Sequence, residues 1–146
     1  MSRPLIIGFG NPLREDDALG WRAAELLERR EGSSIDVLKC HQLTPELVDL
    51  VGRASLVIFL DASISQEPGA ISTRLVEKSV PAAWSHQLSP DQLIGFSEQV
   101  SGPAPRAYVI TGGIDRMTWS ESMSGAAETC ALQIAASVER LLRGSF

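Results

Sequence analysis

Four short apolar runs, "PLIIGFG", "IDVLKC", "SLVIFLDA" and "RAYVITGG", constrain this chain most. Each is rich in β-branched or aromatic residues and stops at small or polar ones, as buried strands do. Between them the periodicity becomes helical. From Asp17 to about Arg30, the residues Leu19, Ala23, Leu26 and Leu27 make one stripe, with Arg22, Glu25 and Arg29 lying mostly off it. "TPELVDLVGRA" predicts a short helix with Thr44 as N-cap, Pro45 at the first position and Gly52 near the exit. "SPDQLIGFSEQV" repeats that logic with Ser89 and Pro90, and a last helix from about Ser124 to Arg143 lines up Cys130, Ile134, Val138 and Leu141. "AISTRLVEK" alternates less cleanly and predicts one more strand, at a sheet edge. Strands alternating with helices predict an α/β three-layer sandwich, a mainly parallel twisted sheet covered by helices on both faces with right-handed crossovers.

One core is enough for this chain. Its 146 residues are 44% hydrophobic, and neither a linker-like stretch nor a repeat divides them, so a single domain over residues 1–146 is expected. A net charge of -5, with bases scattered among acids, would repel a phosphate backbone, which excludes nucleic acid as a partner. The N-terminal "MSRPLIIGFGNPLREDD" carries a short apolar run broken by glycines and followed by acids, unlike a signal peptide or a bilayer span. A cytoplasmic protein without a membrane partner is expected. Cys40 and Cys130 lie far apart with no CxxC pattern, so reduced, buried or nearly buried thiols are expected rather than a zinc site or disulfide.

Sites in such folds gather at the carboxyl ends of the strands. Four segments therefore become neighbours: the loop after the first strand, Asp61 after the third, the stretch around His86, and "TGGID" after the last. In "GFGNPLREDDALG", Gly8 and Gly10 match the first two glycines of a dinucleotide fingerprint, but the third position falls on Leu13 and no acid ends the second strand. Glu15, Asp16 and Asp17 would also repel a pyrophosphate, leaving nucleotide binding a weak alternative. One acid at a helix N-terminus would serve as a cap worth roughly 0.5 to 2 kcal/mol. Three in succession exceed that need and repel one another unless a cation or solvent offsets them. Spacing alone leaves cap and site both open.

Asp61 ends an apolar strand, where it is either a turn aspartate or a carboxylate aimed into the cleft. His86 lies in the polar loop "AWSHQLSPDQL", as a surface bystander or a member of the same rim. Asp17, Asp61 and His86 together would supply two oxygen ligands and one nitrogen. Three protein ligands leave coordination positions open, which suits a functional metal, though this donor set does not name the ion.

"GFGNPLREDDALG" resembles the N-terminal signature of the [NiFe] hydrogenase maturation proteases: glycine, any residue, glycine-asparagine, an apolar pair, two acids and a closing glycine. "LVIFLDAS", "PGAI", "SHQLSPDQL" and "ITGGID" with "MSGAAE" follow in that family's order and spacing, nearly throughout the chain. The resemblance implies a compact α/β endopeptidase that removes a C-terminal extension from the hydrogenase large-subunit precursor once nickel has been inserted. It implies Asp17 and Asp61 as catalytic carboxylates, and Asp17, Asp61 and His86 as ligands of a nickel ion belonging to the substrate. The ion would polarise the scissile carbonyl or activate a water; alternatively the carboxylates work as in an aspartic-type endopeptidase while the ion docks the substrate. Gly10, Asn11 and Asp16 would shape the substrate loop. Gly112 and Gly113 would either let a substrate backbone approach closely or form an ordinary turn.

The chain departs from the family pattern at Glu15, at Ala18 and across "GIDRMTWSESMSG", which bears on substrate choice. Some relatives place their histidine a few residues later, where this chain has Asp91, so the third ligand is His86 or Asp91. Two rivals complete the readings. A thiol hydrolase would use Cys40 beside His41, or Cys130. A non-catalytic module would bind metal or precursor without cleavage.

Overall fold

The computed structural model describes residues 2–10, 18–80, 87–114 and 125–144. Its strands are β1 (Pro4–Phe9), β2 (Asp36–Cys40), β3 (Leu56–Ser63), β4 (Ile71–Leu75) and β5 (Ala107–Gly113); its helices are α1 (Leu19–Glu31), α2 (Val48–Gly52), α3 (Pro90–Ser101) and α4 (Gly125–Leu142). One sheet runs in the order β2-β1-β3-β5-β4. Neighbours are parallel except at the far edge, where β4 runs antiparallel to β5.

Strand alternation sorts the apolar residues into two cores. Ile6, Ile58, Leu60 and Ile110 join α1 and α4 through Leu19, Leu27 and Ile134 on one face. Leu5, Ile7, Val57, Phe59 and Val109 join α2 and α3 through Val51, Leu93 and Ile94 on the other. This is the three-layer α/β sandwich that the alternation of elements predicts. β3 lies between β1 and β5, which accounts for its run Val57–Leu60 being buried throughout. β2 is an edge strand and only partly buried, unlike the fully buried strand its composition suggests.

Helix termini follow the local signals unevenly. α3 has its expected cap: the Gln92 amide donates to Ser89 Oγ at 3.1 Å, and the Ser89 amide donates to Gln92 Oε1 at 3.0 Å. Thr44 makes no such bond; its hydroxyl donates to the Glu46 carboxylate at 3.0 Å, and a short 3-10 turn at Pro45–Leu47 precedes α2. α1 starts at Leu19, two residues later than its stripe suggests, with Ala18 at the N-cap and no side-chain cap bond.

Two glycines seat the start of α1 against the sheet. A Cβ on Gly8 would lie 2.3 Å from the Gly20 carbonyl oxygen, and one on Gly20 would lie 2.5 Å from that of Leu60. Side chains at either position would hold α1 away from the seam between β1 and β3. Among the described residues, no helix is long and apolar enough to cross a membrane.

Candidate functional site

β1 is the point where the chain reverses its spread through the sheet: the next strand pairs on one side of it, and β3 pairs on the other. Ligand crevices in open α/β sheets form at such a switch point, beyond the carboxyl ends of the strands. Here a cavity of about 570 Å³ opens at that edge on the α2–α3 side. Phe9, Asp61, Val109 and Thr111 form its floor, Ser63 and Gln66 one wall, and Gln87 to Pro90 the other.

Residue parity places Asp61 in this cavity. Val57 and Phe59 face α2 and α3, so Asp61 emerges on the same side, opposite Thr111 of β5. β3 continues for two residues beyond it, so Asp61 lies in the last turn of the pleat rather than after the strand. Its side chain is partly buried, and Oδ1 accepts a hydrogen bond from the Ala62 amide at 2.8 Å, which fixes the carboxylate at the cavity floor.

Described residues at the end of β1 and just after His86 reach the same rim. Phe9 lines the cavity, and the Gly10 amide donates to the Cys40 carbonyl at 3.1 Å where the chain leaves β1. Gly10 has φ 143°, a backbone region that side-chain-bearing residues rarely adopt. Gln87, next after His86, also lines the cavity. The following residue is pinned there by the Leu88 amide, which donates to the Leu43 carbonyl at 2.9 Å. Asn11, Glu15, Asp16, Asp17 and His86 themselves lie outside the described residues. Among the described residues, no cluster of three or more His, Cys, Asp or Glu side chains is suited to a metal ion.

Asp91, the alternative third ligand, is held by Arg74, itself a lining residue of the cavity. Its Oδ1 accepts from Arg74 Nη1 and from the Glu77 amide, each at 3.0 Å. Arg74 and Gln66 are cavity residues that sequence reasoning passed over, although the alternation of "AISTRLVEK" does put Arg74 and Ser72 on one face. Gln66 Nε2 donates to the Ala70 and Thr111 carbonyls at 3.2 and 3.4 Å, tying the β3–β4 connection to β5.

Gly112 and Gly113 belong to β5 and not to a turn. The close approaches they permit are to the chain's own atoms. A Cβ on Gly112 would meet Cys130 Sγ at 2.6 Å and Leu19 Cδ2 at 2.7 Å, and one on Gly113 would meet the Glu67 carbonyl oxygen at 2.0 Å. Internal contacts therefore already require glycine at both positions.

The thiol pair fails on geometry. Lys39 reaches Glu28 of α1 at 3.7 Å, and the His41 ring stacks at 5.6 Å on Trp21 of α1, so these side chains face α1. Cys40 packs on the opposite face, against the α2–α3 core. The sulfur and the imidazole thus pack on opposite sides of the sheet edge, which does not suit this histidine as a base for that sulfur. Burial also pushes the Cys40 thiol pKa up, disfavouring the thiolate. Cys130 is buried mid-helix in α4.

No family model matches the chain. The hydrogenase 2 maturation protease of Escherichia coli (strain K12) is 33% identical over 122 residues, covering 77% of this chain and 73% of that relative. The chain belongs to the hydrogenase maturation protease family. Its fold matches the hydrogenase maturating endopeptidase HybD from E. coli with a TM-score of 0.75 and 24% identity, over 97% of this chain and 93% of that one. The [NiFe] hydrogenase maturation protease HycI from Thermococcus kodakarensis KOD1 gives a TM-score of 0.77 at 23% identity, over the same shares. In this maturation protease, a peptidase by family, the switch-point cavity thus presents Asp61 together with Phe9 at the end of β1 and Gln87.

Proposed function

We propose that this protein is the endopeptidase that removes the C-terminal extension from a [NiFe] hydrogenase large-subunit precursor after nickel insertion. The identity to a hydrogenase 2 maturation protease over most of both chains carries the reading. The position of Asp61 supports it, because a partly buried carboxylate at the carboxyl ends of parallel strands suits proton transfer during peptide hydrolysis. In that reaction water adds its oxygen to the scissile carbonyl carbon, one proton passes to a carboxylate, and the leaving amine receives a proton.

In this reading Asp17 and Asp61 are the working carboxylates, and His86 joins them in touching the nickel ion that the precursor brings as part of the substrate. Gly10, Asn11 and Asp16 shape the loop against the precursor. Gly112 and Gly113 let α4 and the β3–β4 connection close on β5.

The test incubates the protein with tailed large subunit, nickel-loaded or metal-free, and follows mass. Loss of the tail from the loaded form alone is expected. Equal trimming of both forms would remove the role given to nickel. Tight binding of the loaded precursor with no mass change would instead favour an inert binding module.

A further inference from the structure

The geometry points to Arg74 as a substrate-binding residue of this cavity, donating to an oxygen acceptor on the precursor's tail and holding the peptide beside Asp61. The inference rests on the proteolytic reading above and adds a residue that the reading does not use. β4 sets Arg74 opposite Val109, on the α2–α3 face, and among the described lining residues it is the single cation. Its side chain remains 47% exposed, while Asp91, which grips it, is 24% exposed. Asp91 is itself held by the Glu77 amide and sits in the first turn of α3, where an acid is favoured by the helix dipole.

A guanidinium carries five N–H donors in a rigid fork. One bond from Nη1 to Asp91 orients the fork, and among the described residues no other hydrogen bond or ion pair engages Arg74. Donors on Nε and Nη2 are thus preorganised without an acceptor among the described residues. An extended peptide offers main-chain carbonyls and acidic side chains, which match that edge. Tethering β4 to α3 does not explain the arrangement by itself, because Lys78 Nζ already reaches Glu98 Oε1 of α3 at 2.8 Å from the stretch just after β4.

Steady-state kinetics on nickel-loaded tailed precursor separate the roles. Arg74→Ala should raise KM about tenfold or more while kcat stays within about twofold, as expected for losing one charge-assisted hydrogen bond made equally before and during reaction. Arg74→Lys should recover only part of the loss, since the fork is gone. Lys78→Ala, which cuts the other tether, should leave KM unchanged, and thermal melts should show all three variants folded. Precursors whose tail acids are changed to amides distinguish the acceptors: if the wild-type advantage over Arg74→Ala vanishes, the acceptor is a carboxylate, and if it persists, a main-chain carbonyl.

An unchanged KM for Arg74→Ala would overturn the inference, as would an equal rise for Lys78→Ala or a fall in kcat alone. If the wild-type protein trims no precursor at all, the proteolytic reading fails, and the comparison is then made on Kd for the tailed precursor. In that case equal Kd values for wild type and Arg74→Ala reject the Arg74 assignment as well.

Discussion

The two faces of the sheet are built from the same strands yet end differently at the carboxyl edge. On the α1–α4 face, helix backbone and side chains come down directly on the sheet: Gly8 lies against Gly20, Gly20 against Leu60, and Gly112 against Cys130 and Leu19. On the α2–α3 face the floor formed by Phe9, Asp61 and Thr111 opens into a cavity. Helix length contributes to the contrast. The 13 residues of α1 and 18 of α4 rise about 20 and 27 Å; on the other face α3 with 12 rises about 18 Å, but the five of α2 rise only about 7.5 Å. One face is closed by glycine-mediated contact; the other leaves polar side chains exposed to a ligand, and parity alone decides which residues fall on which side.

The sharpest way to break this contrast is to disable the open face without disturbing the fold. Asp61→Asn should slow precursor trimming by about a hundredfold or more, the scale on which a general acid or base acts. The amide oxygen can still accept from Ala62, so the melting temperature should stay close to wild type. A folded Asp61→Asn protein that trims at the normal rate would remove Asp61 from the chemistry.

The closed face should respond in the opposite sense. Gly8→Ala forces a methyl group into the Gly20 carbonyl and should cost about 2 to 3 kcal/mol, read as a lower urea midpoint. Trimming per folded molecule should be largely retained. Full stability in this variant would show that α1 can shift without cost, and the face would not be closed in the sense argued here.

The smallest effect is expected at Cys40, on the cavity's face but outside its lining. Cys40→Ala should leave the trimming rate within about twofold. Because burial disfavours the thiolate, alkylation of Cys40 should be slow at neutral pH and accelerate only above the ordinary thiol range. Loss of trimming in Cys40→Ala, with the protein folded, would bring back the thiol hydrolase.

Much of the architecture was legible before any coordinates. Apolar runs and helical stripes predicted all five strands and the positions of the helices, because burial on one or two faces leaves a period in the sequence. Ser89 and Pro90 announced the start of α3, and the cap that forms there is a purely local bond pair between Ser89 and Gln92. The family, the Asp61 strand end and its rim were also readable, the last from the rule that α/β sites lie at the carboxyl ends of strands. β4 was legible as an edge strand, but its partner was not. It follows β3 in sequence, yet β5 is the strand that lies between them.

Local sequence determined which segments become strands and helices and, through strand parity, which face each side chain takes, since those depend on neighbours within a few residues. Tertiary structure decided what each side chain meets there. The glycine pair read as a turn or a substrate ledge; the fold places it in β5, where Cys130, Leu19 and Glu67 arrive from distant segments to occupy the space beside it. The partners of Asp91 were not legible either, since its Oδ1 accepts from Arg74 and from the Glu77 amide. Such contacts join residues far apart in the chain, so they arise only when the layers close and long-range packing brings the acceptor and its donors together.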